Sequence, residues 1–129
     1  MRNILFVDDC RELLELFSSI VNKHGYGCVT ASSKKELFLC LKKDMPDIIL
    51  LDVVLSEEDG RGICKEIKSH DTYSRIPVIL MSASSEKLKY TEEVLADEIL
   101  EKPFTMELVI GKINALATVP GRELLASAE

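Results

Sequence analysis

The chain has 129 residues, 47% hydrophobic and 29% charged, which fits one domain with enough apolar residues for a core that needs no disulfide or metal staple. Sixteen Lys and Arg against 22 Asp and Glu leave a net charge of −6, a balance that disfavours non-specific binding to nucleic-acid phosphates. The longest apolar runs have four or five residues, far short of a membrane span, and the acidic pair Asp8-Asp9 follows the first run too soon for a signal peptide.

In chain order, Ile4–Val7, Cys28–Ala31, Ile48–Leu51, Val78–Met81 and the pair Ile99–Leu100 read as strands. Three of them are continuous rather than alternating, the pattern of strands buried on both faces of a parallel sheet. Between the first two, Leu13, Leu14, Leu16, Phe17, Ile20 and Val21 form one helical stripe that His24-Gly25 stops. Ser33 followed by Glu36 predicts a capping box opening a helix with Leu37, Phe38, Cys40 and Leu41 inward, and Met45-Pro46 ends it. Asp59-Gly60 marks a loop before the inward Ile63, Cys64 and Ile67, and Arg75-Ile76-Pro77 opens the fourth strand. A fourth helix is expected around residues 86–95, with a thin apolar face of Leu88, Thr91, Val94 and Leu95; so thin a face docks weakly and moves easily. Thr105 is the expected N-cap of a last helix carrying Met106, Leu108, Val109, Ile110, Ile113 and Leu116. Its apolar arc spans roughly 200°, about twice what packing on one sheet face needs, so a partner surface beside the fifth strand is one reading and a well-buried helix the other. The sum is an α/β doubly wound parallel sheet of five βα units over about 117 residues. Residues 118–129 are left as a tail or the start of a linker. The four cysteines, Cys10, Cys28, Cys40 and Cys64, form no CxxC pair and the two histidines lack zinc-finger spacing, so reduced thiols in a cytoplasmic protein are expected.

In such a sheet, ligands bind outside the carboxyl ends of the strands. Asp8-Asp9 follow the first strand, Asp52 the third, Ser82 the fourth and Lys102 the fifth. Each alone is an ordinary cap, turn or surface residue; together they converge on one crevice. Two carboxylates about 5 Å apart repel by roughly 3 kcal/mol at an effective dielectric near 20. A divalent cation together with Lys102 balances the three acids, and a site of few carboxylates without His or Cys suits Mg²⁺. Asp52 is then a carboxylate nucleophile of the kind that forms aspartyl phosphates, with Ser82 and Lys102 placed to hold phosphoryl oxygens. An aspartate-dependent phosphatase of similar architecture carries a second Asp two residues after its nucleophile, where this chain has Val54. A flavin-binding protein of this topology needs a phosphate loop where Asp8-Asp9-Cys10-Arg11 stands.

The ordered set Phe6-Val7-Asp8-Asp9, Leu51-Asp52 with Gly60 eight residues later, Met81-Ser82-Ala83, Ala96-Asp97 and Glu101-Lys102-Pro103-Phe104 resembles the receiver domain of two-component response regulators, such as the chemotaxis regulator. The resemblance covers residues 3 to about 117. It implies a flavodoxin-like (βα)5 sheet of order 2-1-3-4-5. It also implies that Asp52 is the phosphoacceptor, that Asp9 ligates Mg²⁺ directly and Asp8 through water, and that the Val54 backbone carbonyl completes the metal set. Ser82 becomes the switch hydroxyl and Lys102 the phosphoryl contact, joined to Pro103 by a cis bond. Implied partners are a histidine kinase or a histidine phosphotransfer protein upstream. Downstream, a protein partner or a second copy meets the face made by the fourth helix, fifth strand and last helix. No direct nucleic-acid or membrane binding by this chain is implied, and no enzyme activity beyond phosphoryl acceptance and slow self-dephosphorylation.

Three positions depart from the family's habits. Ile99 stands where an aromatic switch residue is common, so a large ring flip cannot report the state of Ser82. Ser56 replaces a common proline and is followed by Glu57-Glu58-Asp59, an acidic loop that is either solvated or tunes cation affinity. Val54 and Ser84 occupy positions that help govern phosphoryl lifetime; Val54 cannot orient an attacking water, which predicts a persistent phosphoryl group. The output stays open between a complete single-domain regulator or relay intermediate, the N-terminal receiver of a DNA-binding transcriptional regulator, and a degenerate receiver acting only by protein binding.

Overall fold

Successive apolar residues of the first strand point to opposite faces of the sheet and so divide the core in two. A computed structural model of the chain describes residues 3–55, 57–83 and 95–117. Strands β1 (Asn3–Val7), β2 (Gly27–Ala31), β3 (Ile48–Asp52), β4 (Val78–Ser82) and β5 (Glu98–Glu101) form one parallel sheet in the order β2-β1-β3-β4-β5. Leu5 and Val7 join Leu37 and Leu41 of α2 (Lys34–Lys43) and Ile63, Cys64 and Ile67 of α3 (Gly60–Lys68) on one face. Ile4 and Phe6 join Leu14, Phe17 and Val21 of α1 (Arg11–Lys23) and Val109 and Ile113 of the last helix (Met106–Ala117) on the other. Phe6 and Phe17 stack with ring centroids 4.0 Å apart. All five residues of β3 and all five of β4 are buried, which is why their sequences run apolar without alternation.

The helix ends follow from local chemistry, with corrections to the sequence reading. α1 closes at His24, and Gly25 takes φ 87°, a left-handed turn that glycine adopts without a Cβ clash. Leu16 is exposed rather than inward: at 100° per residue it lies about 200° from Leu14, outside the buried stripe. Ser33 Oγ accepts from the Glu36 N–H at 3.2 Å, but Glu36 Oε2 reaches past Ser33 to the Ser32 N–H at 2.6 Å and hydroxyl at 2.7 Å. Asp59-Gly60 is a helix start rather than a loop: Asp59 Oδ1 accepts from the Arg61 N–H at 2.9 Å and Gly60 is the first residue of α3. Between β3 and α3, Val54–Leu55 pairs antiparallel with Glu58–Asp59, with Leu55 opposite Glu58. Thr105 caps the last helix, accepting from the Leu108 N–H at 3.2 Å. The helix expected around residues 86–95 lies largely outside the described residues, as do Ser56, Ser84 and the tail. Among the described residues no helix is long and apolar enough to cross a membrane.

At the amino edge of the sheet, Lys68 Nζ donates to Asp97 Oδ2 at 2.6 Å and to the Ile76 carbonyl at 2.7 Å, while the same Asp97 oxygen accepts from the Val78 N–H at 2.8 Å. This pair ties the end of α3 to the starts of β4 and β5, away from the carboxyl edge where the site lies.

Candidate functional site

Strand register, not local sequence, brings the site together. Val7 lies beside Leu51, so Asp8 falls next to Asp52. Asp52 lies beside Met81, so Ser82 is one step further along β4; Ser82 lies beside Glu101, which sets Lys102 next to it. Among the described residues, the polar or charged ones that are buried whole are Asp8, Asp52 and Ser82, at 1%, 6% and 1% exposure. Interior polar groups need partners, and all three sit on this one edge.

Lys102 Nζ donates to Asp8 Oδ2 and to Asp52 Oδ2, each at 3.0 Å. The other oxygens are held by backbone: Asp8 Oδ1 accepts from the Cys10 N–H and Asp52 Oδ1 from the Val54 N–H, both at 3.0 Å. Burial pulls the Lys102 ammonium toward deprotonation, but its bonds to Asp8 and Asp52 outweigh this and its pKa is raised, so it is a cation at neutral pH. Asp9, exposed on the rim, completes the set: one oxygen from each of Asp8, Asp9 and Asp52 lies within 4.8 Å of the others. Three hard oxygen donors with no Cys or His among them fit Mg²⁺. The Lys102–Pro103 bond is cis.

Burial pushes the Asp52 carboxyl above its ordinary range; Lys102 and the Val54 N–H pull it down, and Asp8 adds to the rise. A carboxyl with a raised folded pKa stabilises the fold below its ordinary value of 3.8 and loses that contribution as pH climbs through the raised value. At neutral pH, ionised Asp52 therefore opposes folding. Asp52→Asn is expected to melt a few degrees higher than wild type at pH 7 without divalent cation, with the gap closing below pH 4. Equal melting temperatures at pH 7 would contradict this account of the site.

Gly60 buttresses Asp52 from behind. Its N–H donates to the Val53 carbonyl at 2.7 Å, and a Cβ there would lie 2.0 Å from the Asp52 carbonyl oxygen and 2.8 Å from Val53 Cα. The glycine eight residues after Asp52 is thus required by close backbone approach. The acidic loop resolves in part: Glu58 Oε1 accepts from the Lys34 N–H at 3.0 Å, and Asp59 caps α3. The sequence reading missed both roles. Asp59 carried a findable signal, an acidic residue just before an apolar helical pattern; Glu58 bonds across 24 residues and carried none. Val54 has a half-exposed side chain at the mouth of the site and Ile99 lies on the edge strand, 38% exposed.

The fold and this edge define a class: a doubly wound α/β protein with a carboxylate pocket bridged by a lysine. The response regulator receiver domain family model matches residues 4–114, and the chain belongs to that family, a family of signalling domains in two-component systems. It is 32% identical over 117 residues to the transcriptional regulatory protein GltR of Pseudomonas aeruginosa, covering 89% of this chain and 48% of that protein. The signal receiver domain of a Syntrophus aciditrophicus signal transduction histidine kinase superposes with a TM-score of 0.86 at 26% identity, covering 95% of this chain and 94% of that one. Thermotoga maritima response regulator TrrA, solved in complex with Mg(2+)-BeF, gives a TM-score of 0.79 at 26% identity, covering 90% of this chain and 99% of that one. The chain spans about half the length of the curated relatives it matches.

Proposed function

We propose that Asp52 accepts a phosphoryl group from a phosphohistidine on a histidine kinase or a phosphotransfer protein, with Mg²⁺ bound by Asp8, Asp9, Asp52 and the Val54 carbonyl. The observation that carries this reading is the bridge that Lys102 makes between two buried carboxylates, Asp8 and Asp52, at the carboxyl edge of the sheet. Bound Mg²⁺ supplies charge neutralisation where phosphoryl oxygens gather. The Val54 N–H orients the Asp52 carboxylate through Oδ1. A carboxylate oxygen of Asp52 bonds to phosphorus as the donor's P–N bond breaks, and the proton taken up by the departing imidazole comes from solvent. Lys102 stays cationic throughout, leaving its bond to Asp52 to hold a phosphoryl oxygen. Ser82 supplies the hydroxyl that follows the phosphoryl group. Val54 cannot hold an attacking water by hydrogen bond, so self-dephosphorylation is slow.

The readout belongs to the face around β5, the edge strand. Ile99 and Leu108 remain 38% and 48% exposed on the two sides of that edge, the arrangement of a surface that meets a partner or a second copy. The receiver unit runs to about residue 117, and residues 118–129 form a tail or the start of a linker. A second reading, the receiver of a DNA-binding transcriptional regulator, is favoured by the names and doubled length of relatives such as GltR. In either case the chain works in the cytoplasm.

Beryllofluoride with Mg²⁺ tests this reading, since it mimics a phosphoryl group on a carboxylate. Binding to wild type and its loss in Asp52→Asn are expected; equal binding to both proteins would overturn the assignment.

A further inference from the structure

We propose that Glu58 is a positioning residue for the cation site, an inference that rests on the Mg²⁺ reading above: its bond to the Lys34 backbone N–H ties the β3–α3 loop to the start of α2 and so fixes the Val54 segment beside Asp52. Lys34 is the first residue of α2, and its N–H has no partner within the helix. Glu58 Oε1 accepts from it at 3.0 Å, where the helix dipole also favours a carboxylate. Ser33 Oγ serves the Glu36 N–H, so each acceptor meets a different open donor of that helix end. On the loop side, Glu58 pairs with Leu55 and Asp59 with Val54. Leu55 is 1% exposed, the Val54 N–H is bonded to Asp52, and Asp59 is anchored on α3. The short ladder therefore passes a displacement of Glu58, through its partner Leu55 and its neighbour Asp59, to the Val54 peptide, whose carbonyl is the backbone donor in the Mg²⁺ reading above.

Releasing Glu58 leaves the loop to sample other arrangements, and the cation must then select the competent fraction, which weakens its apparent affinity. Charge and bond are separable. Glu58→Gln keeps an acceptor and removes the charge; Glu58→Ala removes both. Lys34→Pro removes the donor at a helix position that tolerates proline, and Ser33, at φ −153° and ψ 166°, has the extended backbone that precedes proline. Lys34→Ala keeps the N–H and controls for the side chain, which pairs with Glu66.

The test is calorimetric titration of the full chain with Mg²⁺ alone. Glu58→Ala and Lys34→Pro are expected to weaken binding by about five-fold each, the equivalent of one net backbone hydrogen bond. Glu58→Gln and Lys34→Ala should stay near wild type. Combining Glu58→Ala with Lys34→Pro should weaken binding no further than either alone, because both break the same bond. Wild-type affinity in Glu58→Ala, equal weakening in Glu58→Gln, or multiplied effects in the combination would overturn the role of Glu58. If Asp52→Asn loses Mg²⁺ while Glu58→Ala matches wild type, only that role falls. If wild type fails to bind Mg²⁺, or Asp52→Asn binds it equally well, the cation site falls and the role of Glu58 with it.

Discussion

Replacing Gly60 by alanine is expected to lower the melting temperature by roughly 10 °C, equivalent to about 3 kcal/mol for a domain of this size. The added methyl would sit 2.0 Å from the Asp52 carbonyl oxygen and 2.9 Å from its carbon. Both are backbone atoms at the end of a fully buried strand, so no rotamer change relieves the clash. Either α3 backs away from the sheet, opening the contact of Ile63, Cys64 and Ile67 with the core, or the Asp52 peptide shifts. The second route moves the candidate phosphoacceptor itself. Thermal unfolding checks the first effect and Mg²⁺ titration the second; a variant that melts like wild type would show that the close approach is not a constraint.

Lys102→Ala is the other large effect, and it has two readouts. Lys102 stands between two buried carboxylates at 3.0 Å from each. Removing it leaves two interior anions facing each other, at a cost of about 2–3 kcal/mol once the partial exposure of the lysine is allowed for. Mg²⁺ would fill the electrostatic gap. Saturating Mg²⁺ at about 100 times its dissociation constant adds roughly 2.7 kcal/mol to any protein that binds it only when folded, so the variant should recover most of its lost stability in Mg²⁺. Stability recovers but the chemistry does not: without the ammonium, phosphoryl uptake should fall by about 100-fold, the usual cost of deleting a positioned charge in a transition state. Calorimetry with and without Mg²⁺ and the rate of phosphoryl uptake check the pair. Loss of stability that Mg²⁺ leaves untouched would place Lys102 in a structural role instead.

Both expectations depend on features that the sequence exposes unequally. The strands are legible because runs such as Ile48–Leu51 and Val78–Met81 are too apolar for a half-exposed strand, and the residues following them line up on one edge from the pattern alone. Asp8, Asp9, Asp52, Ser82 and Lys102 stand where that alignment puts them. The pairwise bonds were not readable. Lys102 meets Asp8 across 94 residues and Asp52 across 50, distances at which only sheet register decides who touches whom. The same holds for Lys68 with Asp97 and for Glu58 with the Lys34 N–H. Errors arose where local rules compete. Asp-Gly is a turn signal and also a helix start, and packing against Asp52 chose the second. Leu16 looked like part of the stripe because leucine is apolar, yet angle rather than residue type decides burial. The wide apolar arc of the last helix is partly used: Val109 and Ile113 are buried while Leu108 stays exposed, so part of the excess is left at the surface.

The acidic composition of the chain also takes on a more specific meaning. Glu36, Glu58 and Asp59 bond to backbone N–H groups at or just before the starts of α2 and α3, where negative charge offsets the helix dipole. Asp97 joins strands at the opposite edge. Asp8, Asp9 and Asp52 instead gather at the carboxyl edge, with one oxygen of each within 4.8 Å of the others.

Phosphoryl acceptance by Asp52 in a Mg²⁺-dependent reaction can be read on the intact protein, by incubating the full chain with an acyl phosphate and Mg²⁺ and following with intact-mass measurement and tandem mass spectrometry. One phosphoryl group on Asp52, absent without Mg²⁺ and absent in Asp52→Ala, is the predicted result; a chain that stays unmodified, or that carries the group elsewhere or equally in the variant, would contradict it.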